Sequence, residues 1–151
     1  MGTVYLILKF IHIASAVTAV GANITYGVWN ARIAAEPAHA SFALKGIKFL
    51  DDRIANPAYG ILFLTGLIMI FVGHWGFALW LIVAIVLFVV VAALGGAVFT
   101  PLLRNQIKLA DSGDTTSAEY VRLATRSRSL GPALGLLVLV ILVMMVFKPT
   151  L

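Results

Sequence analysis

A chain of 151 residues that is 62% hydrophobic and 11% charged, with mean hydropathy +1.04, departs from ordinary soluble domains, where about a quarter of residues are charged. The apolar residues form several long runs, which predicts one integral membrane domain over residues 1–151 with the lipid bilayer as its first partner. Cysteine is absent, which excludes a disulfide framework and a thiolate metal site, and the net charge of +5 comes from basic residues between the apolar runs, a topology signal and not a nucleic-acid footprint.

The first span is expected over residues 3–33. Tyr5, Lys9, His12, Ala16, Ala19, Asn23, Tyr26 and Asn30 recur in steps of three and four, so they share one helix face, with Ser15 beside it. In hydrocarbon such a small and polar stripe turns toward partner helices, because lipid offers it no hydrogen bonds. Ala14-Ser15-Ala16 resembles a signal-peptidase site, but no basic residue precedes the run and the run continues past it, so the span is read as retained. Glu36-Pro37 ends it.

Residues 38–53 mix charges with Phe42, Ile47, Phe49 and Leu50 in the manner of a short interfacial helix, with Asp52 as the expected cap of the next span. The second span, 56–73, opens with Asn56-Pro57 and carries its own seam at Asn56, Tyr59, Phe63, Gly66, Ile70 and Gly73. The short His74-Trp75-Gly76 loop makes a helical hairpin with the third span, 77–103, which contains a small pair at Ala92 and Gly96 and is expected to end near Thr100-Pro101. Asp111-Ser112-Gly113-Asp114 is a turn signal, residues 117–128 read as a second short surface helix, and the fourth span, 130–147, opens with the small pair Gly131 and Gly135. The expected fold is an all-α, integral membrane four-helix bundle with two short interfacial or cytoplasmic helices in its connectors.

Nine Lys and Arg residues lie in the connectors between spans one and two and between spans three and four, and none lies in the loop at His74. The positive-inside rule then places both connectors in the cytoplasm of a bacterial inner membrane and both termini outside.

Among the residues that could carry chemistry, His12 stands first. It lies nine residues inside the outer end, roughly 13 Å deep at 1.5 Å per residue, where a histidine can ligate a metal or haem iron, relay a proton, or bond a neighbouring hydroxyl or carbonyl. Lys9, one turn outward, either snorkels to the headgroups or pairs with an anion beside His12, such as a haem propionate. An antiparallel second span sets Thr65 and Gly66 opposite His12, and the missing side chain at Gly66 leaves room for a flat ligand or for close helix packing. His74 sits at the outer surface as a possible second ligand, reachable only by tilt or a loop excursion, and His39 sits near the opposite surface. Asn23, Tyr26, Asn30 and Asn56 read as an interhelical hydrogen-bond cluster, and the adjacent pair Asp51-Asp52 as a cap. Paired intramembrane carboxylates, a phosphate loop and a Ser-His-Asp order are all missing from the sequence, so an enzyme is not expected.

The run Leu8-Lys9-Phe10-Ile11-His12-Ile13, with Asn56-Pro57-Ala58 opening the second span, Gly66 inside it and four spans in all, resembles the DUF2269 predicted membrane proteins. More distantly it is similar to HemJ-type protoporphyrinogen oxidases and the membrane domain of copper-resistance protein D. The resemblance implies haem or porphyrin handling by His12 and Lys9, while the third-span histidine of those oxidases has no counterpart between Leu79 and Thr100. The expected function is a non-catalytic or redox-accessory protein binding haem b through His12, supported by Lys9, with Gly66 making room. The alternatives are a copper or small-solute permease using His12, Met69 and His74, and a structural subunit of a larger membrane complex or homo-oligomer. Sparse intramembrane methionine speaks against copper.

Overall fold

The computed structural model describes residues 2–74 and 76–149; Trp75 of the expected outer loop lies outside the described residues. The described residues form six α-helices: α1 (Thr3–Ala35), α2 (Ala40–Leu50), α3 (Asn56–Val72), α4 (Leu79–Leu94), α5 (Thr100–Asp111) and α6 (Ala118–Phe147). A 3₁₀ turn, Pro37–His39, leads into α2, and π turns at Asp51–Ala55 and Gly95–Phe99 join α2 to α3 and α4 to α5. The result is four helical rods, each long and apolar enough to cross a membrane. At 1.5 Å per residue α1 is roughly 50 Å long against a hydrocarbon layer of about 30 Å, so it projects well beyond the lipid.

The two connector helices exist, but they continue the spans instead of standing apart from them. Residues 118–128 and the fourth span run in one helix, α6, which continues through Gly131-Pro132. Thr100-Pro101 does not end the third span, and Pro57 does not break the second, because each proline follows a π turn. There the N–H of Asn56 reaches the Asp51 carbonyl and that of Thr100 reaches the Gly95 carbonyl, five residues back, which widens the turn just ahead of each ring. The Thr100 hydroxyl also donates to the Gly95 carbonyl at 3.2 Å. Glu36, by contrast, leaves helical geometry at φ −133°, as expected of a residue before proline.

The core sits at the charged end. Ala40, Ala43, Leu44 and Ile47, at helical spacing on one face of α2, are buried against α1 and α5, while Phe42 and Phe49 point outward. Lys45 pairs with Asp111 at 2.7 Å and Ser41 donates to the same carboxylate, tying α2 to the end of α5. The turn that follows is a Schellman closure. The Gly113 N–H bonds the Ala110 carbonyl and the Asp114 N–H the Leu109 carbonyl, with Gly113 at φ +81°, where only glycine sits without strain. Ser117 caps α6 by accepting from the Tyr120 N–H at 3.1 Å. Hydrogen bonds from Ser117 hold the Asp114 carboxyl below its ordinary range.

Away from that end the rods pair off, α1 along α3 and α4 along α6. The pairs touch through Phe88 of α4, which stacks on Phe63 at 5.3 Å and meets Tyr59 edge-on at 6.0 Å. Leu136, Leu139, Val143, Val86 and Val89 are exposed, as lipid-facing positions should be. The small pairs are not used inside the chain. Ala92 and Gly96 are exposed, and a Cβ placed on Gly95, Gly96, Gly131 or Gly135 would meet nothing within 4 Å.

Candidate functional site

His12 and Asn23 of the polar stripe meet α3, and the buried residues of α1 are Tyr5, Ser15, Ala19, Ala22, Tyr26 and Ile33. His12 is half-buried on this seam. Its Nδ1 lies 3.1 Å from the Thr65 hydroxyl oxygen, and that hydroxyl lies 2.7 Å from the Ile61 carbonyl. A hydroxyl has one proton, and the carbonyl of the preceding turn can only accept, so Thr65 donates to Ile61 and accepts from His12. In the tautomer that this pairing favours, Nδ1 carries the imidazole proton and Nε2 keeps its lone pair. The Leu62 backbone also hydrogen-bonds the ring, and Nε2 is not among the buried unpaired atoms.

Gly66 stands directly against the ring. A Cβ at this position would lie 3.0 Å from Cε1 and 3.5 Å from Nδ1 of His12. The room left by the missing side chain is taken by the imidazole itself, so a flat ligand could not occupy the same place without moving the ring. His12, Thr65 and Gly66 thus come together as the antiparallel pairing predicts. Lys9 and His74 do not join them. Lys9 is exposed and makes no hydrogen bond or ion pair among the described residues. His74 is exposed at φ +53°, its Nδ1 3.3 Å from the Val72 carbonyl, and nine residues beyond Thr65 place it about 13 Å further out along the axis. In this arrangement the chain offers an iron atom one imidazole. Among the described residues no three His, Asp or Glu side chains gather as a metal cage. His39 is exposed at the charged end, 3.5 Å from Glu36.

A second polar group lies at the end of the same seam nearest the charged connectors. Asn23 donates to the Tyr59 hydroxyl, and Asn30 donates to the Tyr26 carbonyl at 2.9 Å. The Tyr26 hydroxyl and the Asn56 amide reach the two carboxylate oxygens of Asp51 at 3.5 and 3.4 Å, and Tyr26 stacks on Phe99 at 6.2 Å. The cluster forms as expected of Asn23, Tyr26, Asn30 and Asn56, but its centre is a residue read from the sequence as part of a cap. Neither Asp51 nor Asp52 caps α3, which begins with no side-chain cap; Asp51 is buried in the π turn and Asp52 pairs with Lys48. The π turn is the reason. It carries the helix through both aspartates, so one faces the bundle and the other faces out.

With this geometry in place, the chain can be set beside known proteins. The family model described as predicted integral membrane protein (DUF2269) matches residues 6–149, and the chain belongs to that family. No curated protein matches it. No solved structure matches it.

Proposed function

We propose that this DUF2269 membrane protein binds haem b or a related porphyrin in a bacterial inner membrane, where His12 would hold the group, with no catalytic step of its own. The observation that carries the reading is the hydrogen bond between His12 and Thr65: with the Thr65 oxygen accepting from Nδ1–H, Nε2 would keep the lone pair that an iron ligand needs. One imidazole, that of His12, would hold the iron. Haem would supply reversible one-electron chemistry, and the chain would supply a held imidazole, a bilayer that excludes water, and Lys9 on the outer third of α1 for a propionate. Because the ring fills the space at Gly66, the ligand would approach the Nε2 edge and not the α1–α3 contact.

The test is the absorption spectrum of protein purified from haem-replete cells. A Soret band is expected in the wild type, lost in His12→Ala with the fold retained, since alanine is a good helix former. Thr65→Val keeps the shape and removes the Nδ1–H acceptor, and affinity should fall roughly 10–100-fold, the usual effect of losing such a partner. A colourless wild type refutes the reading.

A second reading, a subunit of a larger membrane complex or homo-oligomer, is favoured by the open glycine faces at Gly95, Gly96, Gly131 and Gly135. Gly131→Leu together with Gly135→Leu should then change the assembly size while leaving the monomer folded.

A further inference from the structure

The helix α2 is apolar on two faces. One face is buried against α1 and α5, and on the opposite side Phe42 and Phe49, two turns apart, are 72% and 61% exposed. Between them lies Gly46, where a Cβ would meet nothing within 4 Å, so the two rings flank an open notch. Phe42 also borders a groove of about 90 Å³ between α1 and α2, with Trp29 and Ile33 on its walls. The aromatic surface thus continues from α2 onto the end of α1.

Lipid does not account for this surface. The helix α2 runs on into α3 as one rod, Pro37–Val72, 36 residues or roughly 54 Å long, and α2 packs along α1 as α3 does. About twenty residues cross the hydrocarbon, so counting from Val72 toward the charged end puts the lipid edge near Arg53, where the charges begin. Phe49 then stands roughly 6 Å and Phe42 roughly 16 Å past that edge, against a headgroup layer of about 5–8 Å. Phe42 and its groove are in water, where a helix with two apolar faces lacks a partner for one of them.

A second copy does not fit this surface either. Two copies in one membrane point the same way, so a symmetric pairing through this face sets α2 beside a parallel α2, with Lys45 near Lys45 and Arg53 near Arg53. Lys45 follows Phe42 by three residues and is 55% exposed although bonded to Asp111, and Arg53 follows Phe49 by four, exposed and without an ion pair among the described residues. Lys48 and Asp52, which pair with each other, leave that balance unchanged. Like charges set face to face oppose association, whereas acidic groups there favour it. We propose that Phe42, Phe49 and the notch at Gly46 receive an amphipathic helix of a different protein, with an apolar stripe for the rings and acidic residues beside it for Lys45 and Arg53. The surface is independent of His12.

The test replaces Phe42 in the full chain with the photoreactive p-benzoylphenylalanine, which keeps an aromatic ring at an exposed position. Native cells making this chain are illuminated, and the cross-linked peptides are sequenced by mass spectrometry. The expected product joins position 42 to a segment of a different protein with apolar residues three and four apart and acidic residues beside them. Adding Arg53→Glu, which sets a like charge against those residues, should lower the yield roughly tenfold or more. Gly46→Leu, which fills the notch without touching the core, should lower it similarly. Arg122→Glu, on α6, which does not touch α2, should leave the yield unchanged and controls for net charge. A cross-link to a second copy, to lipid alone or to nothing overturns the proposal. So does a linked segment without acidic residues, or a yield that neither Arg53→Glu nor Gly46→Leu lowers.

Discussion

Replacing Gly66 with alanine sets a methyl group 3.0 Å from Cε1 of His12, whereas carbon atoms pack best at about 3.5–4.0 Å. The ring cannot retreat freely, because moving it stretches the 3.1 Å bond to Thr65. Overpacking of this kind costs about 1–3 kcal/mol, while exchanging glycine for alanine in a helix gains about 1 kcal/mol, so Gly66→Ala should destabilise by about 0–2 kcal/mol. In a His12→Ala background the obstacle is gone and only the helix gain remains, so the same substitution should stabilise by about 1 kcal/mol. The sign reverses, and the coupling between the two positions is about 1–3 kcal/mol. Gly60→Ala, on the same helix with nothing within 4 Å of its Cβ, is the control and should stabilise in either background. Reversible unfolding in detergent with added denaturant reads all the free energies. Effects of Gly66→Ala and His12→Ala that simply add, within about 0.5 kcal/mol, would show that the ring does not rest against Gly66.

If the basic connectors lie in the cytoplasm, a cysteine at Ser112 should label only after the inner membrane is breached, and labelling in intact spheroplasts would reverse that orientation. If haem binds, Lys9→Ala should weaken the Soret band without abolishing it, and His74→Ala should leave it unchanged, because that residue stands about 13 Å from the level of Thr65; a band lost in His74→Ala would mean the outer loop folds inward. Asp114, with its carboxyl held low by Ser117, is ionised throughout the neutral range, so its contribution to closing the turn before α6 is present above the unfolded carboxylate pKa and disappears as pH falls through the lowered folded value. Protection of the Ser117 amide from hydrogen exchange should therefore be flat near neutrality and drop only in acid, and a drop near pH 6 would implicate another group.

Apolar run length made the four spans legible, because a bilayer leaves a helix little alternative. The meeting of His12 with Thr65 and Gly66 was legible too, since antiparallel pairing and helical spacing fix which residues share a depth. What spacing could not supply was direction. Lys9 belongs to the same three-four series as His12 yet is exposed, because its long charged chain does better outside the bundle than at a helix contact. The role of Asp51 was hidden for a different reason. An aspartate beside another aspartate near a proline reads as a cap, and only the extra residue of a π turn rotates the first one inward.

The two π turns also bear on how sequences of this kind can vary in length. Each turn holds one residue more than an α-helix would use, and each is followed by a proline after one intervening residue, at Pro57 and at Pro101. Deleting one residue inside either turn would restore α-helical winding and leave the flanking helices nearly in phase, because the widened turn absorbs that one residue. The buried face of α2 would keep its direction, so the seam does not by itself forbid the shorter chain. The prolines do, since each lacks the N–H that the tightened ladder would require and its ring would clash with the preceding turn. A shortened chain would therefore have to lose the proline in the same event, and the Asn56-Pro57 and Thr100-Pro101 dipeptides tie helix length to the widened turn before them.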